Sequence, residues 1–249
     1  MILQDRVAIV TGSSRGIGAA AAKLLARHGA GVTVNYAKNR NEGEKVLGDI
    51  LAAGGKGILV QADVTARGEV DAMVMETEHE LGPVDILVNN ANMSFPVMPF
   101  AQMPWDGFEQ KLLHEMKAAF YCCQAVVQGM MERKMGCIVN VSSGLSRVPG
   151  HGFVAHTSAK SALDGFSKAL ALELGPFGIR VNVVAPGLTV TDATASRPQE
   201  MKDAVADRTP LKRLGQPEDI AGAILFYCSE WSQFVTGTYL PVSGGTQMI

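Results

Sequence analysis

Two side chains suited to acid–base chemistry lie four residues apart in the stretch GHGFVAHTSAKSAL, residues 150–163. They are His156 and Lys160, and a spacing of four places both on one face of a helix. A free imidazole titrates at about pH 6.5, so it can give or take a proton near neutrality, whereas a lysine ammonium supplies a positive charge. The pair predicts a site that moves a proton or holds a developing negative charge.

A glycine-rich segment, TGSSRGIG at residues 11–18, follows a predicted buried strand and opens a predicted helix. Gly12 permits a tight turn, while Gly16 and Gly18 allow a phosphate to approach the backbone and the helix to pack on the sheet. The glycine spacing differs from the common Gly-x-Gly-x-x-Gly pattern. The strand–turn–helix context nevertheless predicts that this loop binds the pyrophosphate of a dinucleotide.

The end of the second predicted strand indicates which dinucleotide binds. NAD sites usually place Asp or Glu there, where the carboxylate holds the ribose hydroxyls. In this chain the strand ends with Asn35 and Tyr36. Cations that would attract a 2′-phosphate stand nearby, namely Arg15, Lys38 and Arg40. We therefore predict NADP(H) as the cofactor, because guanidinium and ammonium groups pair well with phosphate.

Strands and helices that alternate along the chain must position these groups. Short apolar, β-branched runs predict strands over 6–12, 31–36, 56–64, 84–91, 136–143, 179–187 and 237–245. Helical patterns lie over 16–30, about 40–53, 67–82, about 104–134 with a break near Gly107, 153–175 and about 217–229. Continuous apolar strands in β-α-β order predict an α/β fold: a single doubly wound (Rossmann-type) domain over 1–249, with a seven-stranded parallel sheet flanked by helices.

The composition limits the partners. The chain has 249 residues, a formal net charge of -2, 47% hydrophobic residues and 18% charged residues. This balance gives no long-range attraction to nucleic acid or an anionic membrane, and we expect neither partner. The four cysteines are Cys122, Cys123, Cys137 and Cys228. They lie in apolar runs without zinc-ligand spacing, so we expect buried thiols, no metal and a cytoplasmic location.

Ordered motifs extend along the whole chain. Besides the glycine loop they are ADVT (62–65), VDILVNNA (84–91), IVNVSS (138–143), AKSALDGFSKALALEL (159–174), IRVNVVAPG (179–187), RLGQPEDIAGAILF (213–226) and VSGG (242–245). With these motifs the sequence resembles the short-chain dehydrogenase/reductase family, and within it the 3-oxoacyl-carrier-protein reductase type. The resemblance implies hydride transfer between a nicotinamide cofactor and a carbonyl or alcohol carbon.

The resemblance also implies a full set of cofactor-binding positions. Those for the phosphates are Gly12, Ser14, Arg15 and Ile17, in the same loop as Gly16 and Gly18. Asp63 and Val64 would border the adenine, with Tyr36, Lys38 and Arg40 close by. Asn89 and Ala91 would lie along the cofactor. The positions around the nicotinamide and its ribose would be Lys160, Pro186, Gly187, Thr189 and Thr191.

The catalytic positions depart from the family pattern. Ser143 matches the serine that orients the substrate, and Lys160 matches the lysine that binds the nicotinamide ribose. The family's catalytic tyrosine, however, falls on His156, and its active-site asparagine falls on Glu115. The glycine that usually ends the NNAG motif is Asn92. The cofactor half of the site thus follows the resemblance, whereas the proton-transferring half differs.

One hypothesis makes Glu115 and His156 a replacement acid pair. An ionised Glu115 nearby would favour the imidazolium form of His156, while Lys160 would oppose it. The chain would then reduce a ketone with Ser143, His156, Lys160 and Glu115 as its catalytic set. Three alternatives stay open: an NADP(H)-binding subunit with little redox activity, a non-redox isomerase or dehydratase on the same scaffold, or departures introduced by design.

Two segments bear on the substrate. Residues 92–105, NMSFPVMPFAQMPW, are rich in Met, Phe, Pro and Trp. Such side chains suit a lipophilic acyl or polyketide-like ketone, small or carrier-bound, although the segment could equally pack against the protein's own helices or a neighbouring subunit. The resemblance implies a mobile substrate lid over 188–212. It also implies a homotetramer, or a heteromer with a related subunit.

Overall fold

A sheet of seven parallel strands forms the centre of the molecule. The computed structural model describes residues 1–195 and 197–248, and its strands lie in the order β3-β2-β1-β4-β5-β6-β7. They are β1 (Val7–Val10), β2 (Gly31–Tyr36), β3 (Lys56–Gln61), β4 (Ile86–Asn89), β5 (Gly136–Val141), β6 (Ile179–Pro186) and β7 (Tyr239–Val242). Each neighbouring pair is parallel, which confirms the predicted doubly wound fold.

Helices cover both faces of the sheet. They are α1 (Gly16–Arg27), α2 (Arg40–Ala52), α3 (Arg67–Glu80), α4 (Trp105–Arg133), α5 (Val154–Leu174), α6 (Asp192–Ala195), α7 (Gln199–Arg208) and α8 (Pro217–Cys228). One apolar cluster joins α1, α2 and α8 to the sheet, and a second joins α3, α4 and α5 to its other face. Because the central strands are covered twice, they read as continuous apolar runs.

The functional crevice lies where the strand order reverses, between β1 and β4. In doubly wound sheets the loops leave these two strands in opposite directions and open a crevice at their carboxyl ends. The Thr11 hydroxyl ties the two loops together, because it accepts the backbone N–H groups of Asn90 and Ala91, each at 3.0 Å. The Asn90 side-chain amide adds bonds to the carbonyls of Thr11 and Gly12, at 2.9 and 3.1 Å.

The predicted break near Gly107 is wrong. Helix α4 runs without interruption from Trp105 to Arg133. Gly107 lies in its first turn, where a Cβ atom would come within 3.1 Å of Pro96 Cγ. The glycine therefore allows the proline-containing segment 92–105 to pack closely on the start of the helix.

None of the described helices combines the length and apolar character that a membrane crossing requires. Within the same residues, no group of three or more His, Cys, Asp or Glu side chains is arranged to hold a metal ion.

Candidate active site

The glycine loop after β1 makes room for a ligand at the start of α1. Gly12 and Gly16 have φ angles of 60° and 56°, a backbone conformation that favours glycine. A Cβ at Gly12 would lie 2.9 Å from Ala91 Cα, so the close approach of the loop after β4 also requires glycine at position 12. At Gly18 a Cβ would collide with the Asn90 amide.

The first turn of α1 is open to an anion. Its N-cap residue, Arg15, makes no side-chain capping bond, and the first turn carries no acidic residue. Backbone N–H groups at a helix start need acceptors and carry a partial positive charge. Together with the glycines, this arrangement fits the pyrophosphate of a dinucleotide.

The end of β2 provides no carboxylate for ribose hydroxyls. The Asn35 amide is engaged inside the fold, where its oxygen accepts Gly12 N at 2.9 Å and its nitrogen donates to Ala62 O at 3.1 Å. Lys38 is exposed and forms no ion pair with a described residue, whereas Arg40 binds Glu44 at 2.7 Å. Across from them, hydrogen bonds from Thr65 lower the pKa of Asp63, so this side chain is a carboxylate at neutral pH.

A cavity of about 500 Å³ opens at the carboxyl ends of the strands. It brings together eight predicted site residues, which are Ile17, Ser143, His156, Lys160, Pro186, Gly187, Thr189 and Thr191. Large apolar side chains form much of the remaining wall, among them Phe95, Leu145, Val148, Phe153, Leu188 and Met201. The lining therefore combines a small polar group with an extensive apolar surface, as ligand sites usually do.

Ser143 is held at the end of β5. It is the N-cap of a short 3-10 helix, Gly144–Ser146, and its hydroxyl oxygen accepts Leu145 N at 3.2 Å. Its carbonyl accepts the Tyr239 hydroxyl at 3.2 Å. The hydroxyl hydrogen of Ser143 is thus left to donate into the cavity.

The His156 imidazole lies in an aromatic environment in the first turn of α5. It stacks on Phe95, with ring centroids 4.3 Å apart and planes inclined by 23°, and it meets the edge of Phe153 at 6.5 Å. The residue is only 6% exposed, and its Nδ1 atom is buried without a hydrogen-bond partner among the described residues. Burial, followed by the charges of Lys160 and Lys111, lowers the pKa of His156 to about 3. The ring is therefore neutral at physiological pH.

Lys160 extends from α5 to the end of β5 and meets Glu115 of α4. Its ammonium donates to Glu115 Oε1 at 2.5 Å and to Val141 O at 2.7 Å. The other carboxylate oxygen, Oε2, accepts Lys111 Nζ at 2.5 Å. Burial raises the pKa of Glu115, but the two ammonium groups outweigh burial and hold it at about 2. Glu115 is therefore ionised and bound on both sides.

This arrangement corrects the proposed acid pair. The Glu115 carboxylate binds Lys160 and Lys111, and none of its hydrogen bonds reaches His156. Its negative charge does raise the pKa of His156, but burial and the lysine charges dominate. The imidazolium form that the acid-pair hypothesis requires is therefore not the stable form of this side chain.

Two further residues beside the site differ from what the sequence indicates. The Asn89 amide is engaged inside the sheet, where it donates to Asn140 Oδ1 at 2.8 Å, and Asn90 lines the cavity instead. Lys111 is a buried charged residue beside the site that the sequence reasoning missed. Its position in the helix could have indicated its burial, because Lys111 and Glu115 fall on the same buried stripe of α4 as Ala118, Cys122 and Val126.

Comparison with known proteins agrees with this geometry. The family model described as enoyl-(acyl carrier protein) reductase matches residues 12–247. A 3-oxoacyl-(acyl-carrier-protein) reductase of Staphylococcus epidermidis is 35% identical over 98% of this chain and 100% of its own. A doubly substituted short-chain dehydrogenase/reductase of Serratia marcescens superposes with a TM-score of 0.90, at 32% identity over 98% of this chain and 99% of that one. This chain is a short-chain dehydrogenase/reductase.

Another solved relative in the short-chain dehydrogenase/reductase family is a 7α-hydroxysteroid dehydrogenase in complex with NADH and 7-oxo glycochenodeoxycholic acid. Its TM-score is 0.93, at 35% identity over 98% of this chain and 94% of that chain. These relatives are oxidoreductases that act on the CH–OH/C=O pair. The family membership predicted from the motifs is thus confirmed.

Proposed function

We propose that this short-chain dehydrogenase/reductase is an NADP(H)-dependent reductase of a ketone group in a lipophilic acyl or polyketide-like substrate. One observation carries the proposal: Ser143, His156 and Lys160 line the same cavity, beside an open helix start that fits a pyrophosphate. When bound, the nicotinamide would supply or accept the hydride. The protein's residues would hold the substrate oxygen, and solvent water would supply the proton that converts the alkoxide into the alcohol.

The choice of NADP(H) rests on charge. The end of β2 offers no acidic group, and the exposed cations Arg15 and Lys38 form no ion pair with a described residue. A 2′-phosphate between them would gain charge-assisted hydrogen bonds. Arg40 is nearby, although Glu44 already neutralises part of its charge.

The substrate oxygen would lie between Ser143 and His156. The Ser143 hydroxyl can donate one hydrogen bond, and the neutral imidazole can donate a second through its N–H group. As negative charge develops on that oxygen, these donors and the nearby Lys160 ammonium would stabilise it, since fixed donors act strongly in a site sheltered from water. Lys160 would also hold the nicotinamide ribose, because Glu115 and Val141 occupy only two of its three N–H donors.

The apolar wall favours a lipophilic substrate. Phe95 and Phe153 flank the imidazole, and Val148 and Met201 extend the apolar surface of the cavity. We propose that a small or carrier-bound acyl ketone lies along this wall. The residues from 188 to 212 other than Ser196, which lies outside the described residues, would close over it as a lid.

Turnover measurements test the proposal. NADPH oxidation is followed with a panel of lipophilic ketones, and the alcohol product is quantified in the same reaction. Because His156 has a pKa of about 3, the rate should be level between about pH 5 and 7. A rate that falls tenfold per pH unit over that range would show imidazolium as the proton donor and contradict the neutral-donor role.

A second function, an NADP(H)-binding subunit with little redox activity, is favoured by a specific observation. A neutral imidazole with a pKa of about 3 is a poor proton donor. His156→Tyr separates the two functions. For a reductase, wild type turns over and His156→Tyr is no faster; for a binding subunit, wild type binds NADPH without turnover and the tyrosine variant gains activity.

We also propose that the protein acts in the cytoplasm as a homotetramer, or as a heteromer with a related subunit. This follows from the family that the chain belongs to. Light scattering of the purified chain tests the assembly, because a monomer at micromolar concentration would contradict the homotetramer and leave only the heteromer.

A further inference from the structure

Lys111 is fully buried and saturated with acceptors. Its side chain has no exposed surface, yet it carries an ammonium group. That group donates to Glu115 Oε2 at 2.5 Å, to Asn92 Oδ1 at 2.8 Å and to Met93 O at 3.0 Å. All three N–H donors are therefore used, which is the arrangement that makes a buried lysine tolerable.

These contacts connect the three positions at which the chain departs from the pattern of the family. Lys111 binds two of them directly, Asn92 and Glu115. It reaches the third through an aromatic ring, since its ammonium lies 5.0 Å from the centroid of Phe95 and Phe95 stacks on His156. One lysine thus joins the loop after β4, helix α4 and the imidazole on α5.

The charges around this lysine form one group. Two ammonium ions, Lys111 and Lys160, flank the single carboxylate of Glu115, so the buried group carries a net positive charge. His156 faces this group from α5, and Arg197 adds a further positive charge from the lid segment. Every member except Glu115 lowers the pKa of His156 and favours its neutral form.

We propose that Lys111 is a positioning residue of the active site, which anchors the 92–95 segment over His156 and holds the Glu115 carboxylate against Lys160. Lys111 then holds together Asn92, Glu115 and His156, the three residues that differ from the family pattern. In this arrangement a neutral imidazole is fixed beside a bound carboxylate. Only the activity readout of this proposal rests on the proposed reductase function. The readouts on His156 and on cofactor binding do not depend on it.

Removal of the Lys111 ammonium has two predictable effects. The 92–95 segment loses its bonds at Asn92 and Met93, so Phe95 covers the imidazole less well. The positive charge of Lys111, which itself lowers the pKa of His156, is also lost. Both effects relieve causes that lower the pKa of His156, and its pKa should rise.

The experiment compares the full-length wild type with Lys111→Met. Lys117→Met is the matched control, because Lys117 is an exposed lysine on the same helix. NMR of protein with ¹³C-labelled histidine follows the titration of His156, whose signal is assigned by its loss in His156→Gln. NADPH affinity is measured by fluorescence, and kcat and KM are measured where turnover occurs.

In Lys111→Met we expect the His156 titration to move to higher pH, with NADPH affinity changed less than about twofold. Where turnover occurs, kcat should fall about tenfold with little change in KM, since geometry and not binding is lost. Lys117→Met should match wild type. An unchanged His156 titration in Lys111→Met would overturn the positioning role, whether or not the protein is a reductase.

Asn92→Gly provides a second test if Lys111→Met does not fold. Asn92 is exposed, so this variant removes one of the two bonds that anchor the segment, at Asn92 Oδ1, without altering the buried charges. A smaller upward shift of the same titration is expected. If the shift is absent, the anchoring role is contradicted. If the wild type shows no turnover but both titrations shift as expected, only the reductase function is contradicted.

Discussion

The phenyl ring of Phe95 lies almost flat on the imidazole of His156, with 4.3 Å between ring centroids. A loop residue thus covers one face of the ring that occupies the catalytic position on α5. Stacking fixes the orientation of the imidazole and removes water from it, and the loss of water contributes to its low pKa.

Phe95→Ala should release this ring. We expect the pKa of His156 to rise, because burial is the first cause that lowers it. Loss of the aromatic pair should lower stability by about 1 kcal/mol, in addition to the apolar burial that is lost with the ring. Turnover should fall about tenfold as the donor loses its fixed geometry. Histidine NMR, urea unfolding and kcat measurements check these three effects, with Phe234→Ala as a control at a fully exposed phenylalanine.

His156 should make the folded protein sensitive to acid. Its folded pKa of about 3 lies below the ordinary value of 6.5. Between these values the unfolded chain binds more protons, so the contribution of His156 to stability is complete above about pH 6.5 and is lost as pH falls towards 3. Relative to His156→Gln, wild type should lose up to roughly 4 kcal/mol over that range.

Urea unfolding at pH 7, 5.5 and 4.5 checks the His156 prediction. Comparison with His156→Gln cancels the carboxylates that both proteins share. His79→Gln is the control, since this side chain is 83% exposed. Parallel pH dependence in wild type and His156→Gln would show that burial does not suppress the imidazole charge.

Glu115→Gln should be far more damaging than Lys111→Met at pH 7. Loss of the carboxylate leaves two buried ammonium groups without a counter-charge, a cost of about 3 to 5 kcal/mol. Loss of Lys111 leaves a balanced pair between Glu115 and Lys160, so only about 1 to 2 kcal/mol of hydrogen bonding is removed. Urea unfolding of both variants measures the difference, and equal losses would contradict the charge arrangement.

The loss of unfolding free energy in Glu115→Gln, relative to wild type, should become smaller as pH rises. Burial lowers the pKa of Lys111 from 10.5 to about 8. Glu115 opposes this shift, so in Glu115→Gln the pKa of Lys111 falls further and the buried amine becomes neutral at a lower pH than in wild type. Folding of the variant therefore gains more than folding of wild type as pH rises from 7 to 9. Unfolding at pH 7 and pH 9 checks the sign, and a deficit that grows with pH would refute it.

Arg15→Ala and Lys38→Ala should weaken NADPH binding selectively. Each removes a cation proposed to face the 2′-phosphate, so the Kd for NADPH should rise about tenfold while the Kd for NADH changes little. Fluorescence titrations with both cofactors check the difference. Arg27→Ala, an exposed arginine at the end of α1, is the control. Equal weakening of NADH binding would assign these cations to the shared pyrophosphate instead.

Local patterns in the sequence predict much of the molecule. The parallel sheet follows from the apolar strands in β-α-β order, and the ligand loop follows from Gly12 and Gly16, whose φ angles are positive. The shared cavity of His156 and Lys160 follows from their spacing of four on α5. The predicted strands 84–91 and 237–245 are too long at both ends, since β4 spans only Ile86–Asn89 and β7 only Tyr239–Val242.

The choice of partners inside the site could not be predicted in this way. Glu115 has two lysines and a histidine within reach, and only the tertiary packing shows that it binds both lysines. A lysine on a helix is usually exposed, and only its place on the stripe of Ala118 and Cys122 distinguishes buried Lys111 from exposed Lys117. The cover of Phe95 over His156 likewise depends on how the loop after β4 folds back onto α5.

The most direct test of the account is turnover by wild type and His156→Ala at pH 6.5 with NADPH and a lipophilic ketone. We predict that wild type consumes NADPH in step with alcohol formation, and that His156→Ala loses about a hundredfold or more in rate while it binds NADPH as wild type does. An alanine variant that keeps the wild-type rate would contradict the role assigned to His156.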